Sequence, residues 1–139
     1  MSGHLLDANV FIALAWPNHP HHARAHAWFR REQKRGWGTC LVTQLAFVRV
    51  SSNPAVPHHV SPQAAHRQLL QILALPQHFF VAEPRVGYAD TAFARTLPNT
   101  LTHQLVTDAY LVTLAAIRRL KLATFDRQLA ATFPEAALV

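Results

Sequence analysis

The sequence predicts an α/β fold, a three-layer α/β/α domain with a mainly parallel central sheet. Short apolar stretches that suit buried strands, such as residues 3–6 and 121–125, alternate with segments whose apolar residues recur at helical spacing. Strands that alternate with helices form right-handed βαβ units, which place helices on both faces of the sheet. The 139 residues contain no internal repeat, low-complexity tract or linker. We therefore expect residues 1–139 to form a single domain.

The first half of the chain has clear start and stop signals for its helices. Pro17 ends the first helix and Gly36 ends the second, Thr43 is a suitable N-cap for the third, and Ser61 followed by Pro62 starts the fourth. These signals predict strands at residues 3–6 and 37–42, and helices at residues 9–16, 23–35, 44–50 and 62–75.

The second half repeats the alternation. Pro76 and Pro84 enclose a short apolar stretch, and Thr107 or Thr102 can cap a strongly periodic helix that ends at Arg119. The predicted elements are a strand at residues 79–82, a helix at 86–95, a loop at 97–100, the periodic helix, a strand at 121–125, a helix at 127–131 and an edge strand at 137–139.

The composition favours an anionic partner. Thirteen Lys and Arg residues oppose seven Asp and Glu residues, which gives a net charge of +6 with ten histidines in addition. RNA, DNA or an acidic protein would match this charge. No apolar run is long enough to span a bilayer and no export signal is present, so we expect a cytoplasmic protein without membrane contact. The single cysteine, Cys40, is expected in a strand as an inert core residue.

Three of the few acids are predicted to lie at one edge of the sheet. Asp7 and Asp126 each follow an apolar strand, and Asp108 is in the first turn of the periodic helix. The carboxyl ends of parallel strands share an edge, and a helix that returns antiparallel to the strands starts at that same edge. The three carboxylates can therefore converge.

Capping is the alternative explanation for two of these acids. Asp108 could favour the helix N-terminus and Asp126 could cap the last helix. Like charges that are drawn together cost free energy unless a cation offsets them, so the cluster implies a divalent metal. Carboxylates without a Cys or His partner suit Mg²⁺, with Mn²⁺ as an alternative.

Four segments carry a resemblance to a known family. They are HLLDANVFIAL at residues 4–14, TQLAFVRVSSNP at 43–54, VTDAYL at 106–111 and ATFDR at 123–127. In order and spacing they resemble PIN-domain ribonucleases, specifically VapC-type toxins of type II toxin–antitoxin modules. The resemblance covers nearly the whole chain and implies a PIN-like domain.

The resemblance also implies a function. It implies a Mg²⁺-dependent endoribonuclease, usually a homodimer, that a small cognate antitoxin inhibits. Asp7, Asp108 and Asp126 match the metal-site acids that would catalyse hydrolysis. The chain departs from the pattern at Gln44, where many relatives have a glutamate, so Gln44 can supply only a neutral oxygen. Asn9 could orient a carboxylate or a metal-bound water, or simply open the first helix.

Candidate RNA contacts come from the basic residues. We expect them at Arg30, Arg31, Arg35, Arg49 and His103, although the arginine run could equally be a solvated face. His22 and His26 have the spacing of a helical metal pair but lack further ligands.

Two other functions compete with the nuclease. A catalytically weakened module that binds RNA or an antitoxin would explain the neutral Gln44. A phosphatase with an aspartate nucleophile would also begin with an acid after the first strand, but it needs a second acid where this chain has Asn9.

Overall fold

A five-stranded parallel sheet forms the centre of the protein. The computed structural model describes residues 3–98 and 101–139. The strands are ordered β3-β2-β1-β4-β5, and each neighbouring pair is parallel. They comprise β1 (His4–Leu6), β2 (Trp37–Thr39), β3 (His78–Phe80), β4 (Lys121–Thr124) and β5 (Ala137–Leu138). The predicted α/β/α fold is confirmed.

Six α-helices surround the sheet. They are α1 (Ala8–Ala15), α2 (His22–Glu32), α3 (Leu41–Ser51), α4 (Pro62–Leu73), α5 (Val106–Ile117) and α6 (Arg127–Thr132). Short 3₁₀ turns occupy Gln33–Arg35, Gly87–Ala89, Thr91–Thr96 and His103–Leu105. Within the described ranges, no helix is long and apolar enough to cross a membrane. Asn99 and Thr100 of the predicted loop at 97–100 lie outside the described residues.

Successive strand residues supply two separate cores. Leu6 and Ala123 pack with α1 to α4 on one face, whereas Leu5 and Leu122 pack with α5 and α6 on the other. This alternation follows from the strand period of two residues. On the first face, Phe11 of α1 stacks on Phe47 of α3 with ring centroids 5.3 Å apart. The residues of β1, β2 and β4 are buried except for Lys121, as expected for a parallel sheet that is covered on both faces.

The third helix begins earlier than predicted. Strand β2 ends at Thr39, and Cys40 rather than Thr43 occupies the N-cap position of α3. Thr43 lies one turn inside, where its hydroxyl accepts the Cys40 N–H at 3.1 Å and donates to the Cys40 carbonyl at 3.0 Å. Cys40 is buried as expected, but at the helix start and not in a strand.

One other predicted helix and one predicted helix cap were wrong. The predicted helix at 86–95 is instead a pair of 3₁₀ turns, because the Asp90 carboxylate takes the Ala92 N–H at 2.9 Å and starts a new turn there. Neither Thr102 nor Thr107 caps α5. A 3₁₀ turn leads directly into that helix, and Leu105 occupies its N-cap position without a side-chain cap.

Helix α5 ends in a Schellman motif that contains no glycine. The Arg119 N–H donates to the Ala116 carbonyl at 3.0 Å, and the Leu120 N–H donates to the Ala115 carbonyl at 2.8 Å. This pattern places Arg119 at a left-handed φ of 59°, where glycine is the usual residue. A side chain with a Cβ is strained in this conformation.

We expect Arg119→Gly to stabilise the protein by about 0.5–1 kcal/mol, because glycine relieves the left-handed strain. Urea unfolding followed by circular dichroism measures the free energy of unfolding. Arg119→Ala is the matched control, since it removes the same guanidinium but keeps the Cβ. An equal gain in both variants would show that charge, and not backbone conformation, is responsible.

Candidate acidic site at the carboxyl edge of the sheet

The structure brings Asp7, Asp108 and Asp126 to one edge of the sheet. Asp7 follows β1 and donates its N–H to the Ala123 carbonyl of β4 at 2.9 Å. Asp126 lies two residues after the end of β4, the strand that pairs with β1. Asp108 is in the first turn of α5. Three different elements therefore deliver the three carboxylates, as the order of strands and helices predicted.

The Thr124 hydroxyl connects these side chains. It donates to Asp7 Oδ2 at 2.8 Å, and it accepts the Asp126 N–H at 3.0 Å and the Asn9 Nδ2 at 3.2 Å. Asn9 Oδ1 in turn accepts the Phe125 N–H at 3.1 Å. Thr124 is fully buried. These contacts fix the two strand ends relative to each other and hold Asp7 in one orientation.

Two of the acids also cap helices. Asp7 Oδ1 accepts the Ala8 N–H at 2.8 Å at the start of α1. Asp126 Oδ1 accepts the N–H groups of Gln128 and Leu129 at 2.9 and 3.1 Å at the start of α6. The predicted alternative of capping is thus correct for Asp126. It does not exclude a second role, because a carboxylate has about four lone-pair positions.

Asp108 has the least support from its surroundings. Its carboxylate accepts no hydrogen bond within the parts of the chain that the structure describes. Burial first, and then the charges on Asp7 and Asp126, together raise the pKa of Asp108 to about 6. Burial also raises the pKa of Asp7. The hydrogen bonds from Thr124 and Ala8 lower this pKa, and the charge on Asp126 raises it. The three acids therefore interact electrostatically, and a bound cation would reduce the repulsion between their charges.

The donor set fits a hard divalent cation. Among residues 3–98 and 101–139, no three His, Cys, Asp or Glu side chains lie close enough together to enclose an ion. Mg²⁺ does not need such a cage, because it keeps several waters and binds through one or two carboxylates. Asp7, Asp108 and Asp126 offer only oxygen donors, and the partly buried Asp108 carboxylate is available to bind.

Gln44 lies in the first turns of α3, after the carboxyl end of β2, and therefore at the same edge of the sheet. Its Nε2 donates to Thr39 Oγ1 at 3.0 Å. The Asn9 side chain donates to the Thr124 hydroxyl and accepts the Phe125 N–H. Asn9 lies in α1 and also supports the ends of the strands.

Most of the predicted RNA contacts lie away from the acids. Arg30 and Arg31 are near the end of α2, and Arg35 lines a cavity with Gly3 and Lys121 at the amino ends of the strands. Arg49 is exposed one to two turns beyond Gln44 on α3. Only His103 is close in the chain to a candidate site acid, since its 3₁₀ turn precedes α5.

Sequence reasoning missed two side chains that pack on Phe125, the residue before Asp126. The Arg24 guanidinium lies over the Phe125 ring, 5.3 Å from its centroid, and His21 stacks on the same ring at 5.0 Å. Thr124 was missed as well, because a threonine at the end of a strand looks like an ordinary β-residue. No sequence spacing signals either contact, since about a hundred residues separate the partners.

The His22 and His26 pair has a structural role. His22 Nδ1 lies 2.7 Å from the Ala13 carbonyl and His26 Nε2 lies 3.2 Å from the Leu14 carbonyl. Both rings therefore satisfy carbonyls of the last turn of α1, which have no partner inside the helix.

Comparison with known proteins agrees with the fold. The PIN domain family model matches residues 4–133. Ribonuclease VapC38 of Mycobacterium tuberculosis is 42% identical over 88% of this chain and 84% of its own. Ribonuclease VapC39 of the same organism is 40% identical over 91% of this chain and 90% of its own.

Solved structures show the same fold. VapBC2 from Rickettsia felis, bound to a promoter DNA fragment, has a TM-score of 0.67 at 11% identity, over 100% of this chain and 98% of that chain. A toxin-antitoxin complex from Klebsiella pneumoniae has a TM-score of 0.61 at 17% identity, over 96% and 95%. The extent of the family match and the identity to the VapC proteins lead to one conclusion: the chain belongs to the PIN-domain family, among its VapC-type members.

Proposed function

We propose that this protein is a metal-dependent endoribonuclease that acts as the toxin of a toxin–antitoxin pair. The observation that carries the proposal is the electrostatic coupling of Asp108 to Asp7 and Asp126 at one edge of the sheet. The relatives named as ribonucleases support the reaction. The net charge of +6 suits an RNA substrate.

The chemistry follows from the donor set. When bound, Mg²⁺ or Mn²⁺ supplies Lewis-acid activation of water and offsets the charge that develops on the phosphodiester. Asp7, Asp108 and Asp126 would hold the ion, in part through its waters, and would need no protein nucleophile beside them. Thr124 fixes Asp7 through Oδ2, and the cap of α6 fixes Asp126 through Oδ1, which leaves Asp126 Oδ2 available. The protein thus provides orientation and charge.

A cognate antitoxin is the proposed regulatory partner. The similar structure from Klebsiella pneumoniae is a toxin-antitoxin complex, which supports this assignment. Leu41 and Leu45, one turn apart on α3, are 52% and 58% exposed beside the acidic edge, and they offer apolar surface to a partner. A homodimer and a cytoplasmic location stay predictions from the sequence.

The weakened binding module is the second candidate, and the neutral Gln44 favours it. It shares the fold and the basic charge with the nuclease but predicts RNA or antitoxin binding without hydrolysis. Cleavage assays therefore decide between the two.

Asp7→Asn should reduce RNA cleavage by more than about 100-fold, a larger loss than outer partners of a metal site usually cause. EDTA should abolish cleavage by the unmodified protein, and Mg²⁺ or Mn²⁺ should restore it. Gel analysis of a structured RNA measures both effects. Asparagine keeps an oxygen to cap α1, so the change tests the charge.

Asp90→Asn is the matched control for that variant, because Asp90 also caps a turn but lies outside the acidic edge. It should cleave RNA normally. Cleavage that persists in EDTA or in Asp7→Asn would contradict the proposal. RNA binding without cleavage at any metal concentration would favour the binding module.

Asp108→Asn should raise the stability of the metal-free protein near pH 7. The pKa of Asp108 rises from an ordinary 3.8 to about 6 in the folded state, so the folded chain binds a proton that the unfolded chain releases. Stability is therefore lost as pH rises through this window, and asparagine removes the loss. Urea unfolding in EDTA at pH 3.5 and pH 7 should show the gain only at pH 7.

Glu135→Gln serves as the control for that pH profile, because Glu135 is an exposed acid outside the acidic edge. It should show no comparable gain at pH 7. Added Mn²⁺ should stabilise the unmodified protein more than Asp108→Asn, since ligands that bind only the folded state stabilise it. Equal stabilisation by Mn²⁺ would argue against Asp108 as a ligand.

Arg24→Gln should raise the KM for RNA about three- to tenfold and lower its salt dependence, because Arg24 places a cation over Phe125, the residue before Asp126. Arg31→Gln, at the far end of α2, should change neither quantity. Steady-state kinetics at two salt concentrations measure both. The same rise in KM for the two variants would show a general charge effect and no local phosphate contact.

A further inference from the structure

A hydrogen-bonded chain crosses the sheet beside the acidic site. Thr39 Oγ1 lies 2.8 Å from His78 Nε2 and 3.0 Å from Gln44 Nε2. Thr39 is fully buried at the end of β2, and His78 is the first residue of the neighbouring strand β3. Neither Thr39 nor His78 takes part in the chemistry proposed for the three acids.

The single proton of the Thr39 hydroxyl fixes the direction of this chain. An amide nitrogen only donates, so Thr39 accepts from Gln44, and His78 Nε2 is the acceptor that the described residues offer to the Thr39 proton. His78 Nε2 is then an acceptor, which requires a neutral ring with its proton on Nδ1.

The surroundings of His78 agree with that form. Burial lowers the pKa of His78, which favours the neutral ring. A neutral imidazole has one N–H, so a ring whose Nε2 accepts from Thr39 carries that proton on Nδ1.

The amide oxygen of Gln44 is the group left over. Its nitrogen is committed to Thr39, and within the described residues Oε1 accepts no hydrogen bond. Leu5 of β1 pairs with Gly38 of β2, so Thr39 lies beside Leu6, and Asp7 follows at the same edge. A free oxygen at this edge is available to an ion that the three acids bind.

We propose that Thr39 and His78 are positioning residues that hold the Gln44 amide with its oxygen toward the acidic edge, where it serves as a fixed neutral donor to the ion. This proposal rests on the proposed function. It gives Gln44 a defined role in place of that of a lost acid.

The direction of the chain depends on the amide. A glutamate at position 44 has no N–H, so it would take the Thr39 proton, and His78 would have to change tautomer and donate its Nε2–H to Thr39. Gln44→Glu therefore adds charge and reverses the direction of the chain.

The test compares Thr39→Val with Thr39→Ser. Valine keeps the shape and removes the hydroxyl, whereas serine keeps it. We expect Thr39→Val to weaken Mn²⁺ binding by about tenfold in calorimetry, as loss of outer hydrogen-bond partners does, and Thr39→Ser to restore it. In a Gln44→Ala background, Thr39→Val should have no further effect on Mn²⁺ affinity, because the oxygen it positions is gone. Thermal unfolding confirms that each variant is folded.

Nitrogen-15 NMR of the His78 ring in the unmodified protein supplies a second measurement that needs no metal. The Nδ1–H form is expected, and an Nε2–H form would reverse the amide and overturn the proposal. Equal Mn²⁺ affinity of the valine and serine variants would also overturn it. If the unmodified protein still cleaved RNA in that case, the proposed nuclease function would stand. Absence of both Mn²⁺ binding and cleavage in the unmodified protein would instead refute the proposed function and this inference together.

Discussion

The placement of three carboxylates at one partly buried edge is the constraint on which this structure depends. Burial first, and then the charges on Asp7 and Asp126, raise the pKa of Asp108, so the charged form of Asp108 is unfavourable there without a cation. The fold holds the three carboxylates there through rigid contacts. Thr124 joins the ends of β1 and β4 with one buried hydroxyl, and Asn9 braces the residue that follows. A preorganised negative site is what a hard cation requires.

The parallel sheet distributes this task among elements that are far apart in sequence. β1 and β4 each end on an acid, α5 returns a third acid to the same edge, and β2 contributes Thr39 and the start of α3. Because alternate strand residues enter different cores, the edge is anchored to helices on both faces. The arginines, unlike the three acids, are not gathered at one edge of the sheet. Arg24 lies by Phe125, whereas Arg35 lies at the opposite edge.

The sequence predicted the parts that depend on pattern and chain order. Alternating strands and helices specify the α/β/α fold, and acids at strand ends specify a common edge, so Asp7, Asp108 and Asp126 could be placed together. Contacts that depend on side-chain directions could not be predicted. Thr43 accepts the Cys40 N–H from inside the helix, and Asp90 interrupts a segment with helical composition. The Thr124 junction and the Thr39 chain join residues from separate strands.

Two acids of the site are also structural elements of the fold, because Asp7 begins α1 and Asp126 begins α6. An alanine at either position would remove a helix cap along with the charge, so a damaged fold and a damaged site would look alike in any activity screen. Random mutation faces the same coupling: a variant that replaces either aspartate with a residue that has no side-chain acceptor also frays a helix. Position 44 caps no helix, and a change from acid to amide there can pass without harm to the fold.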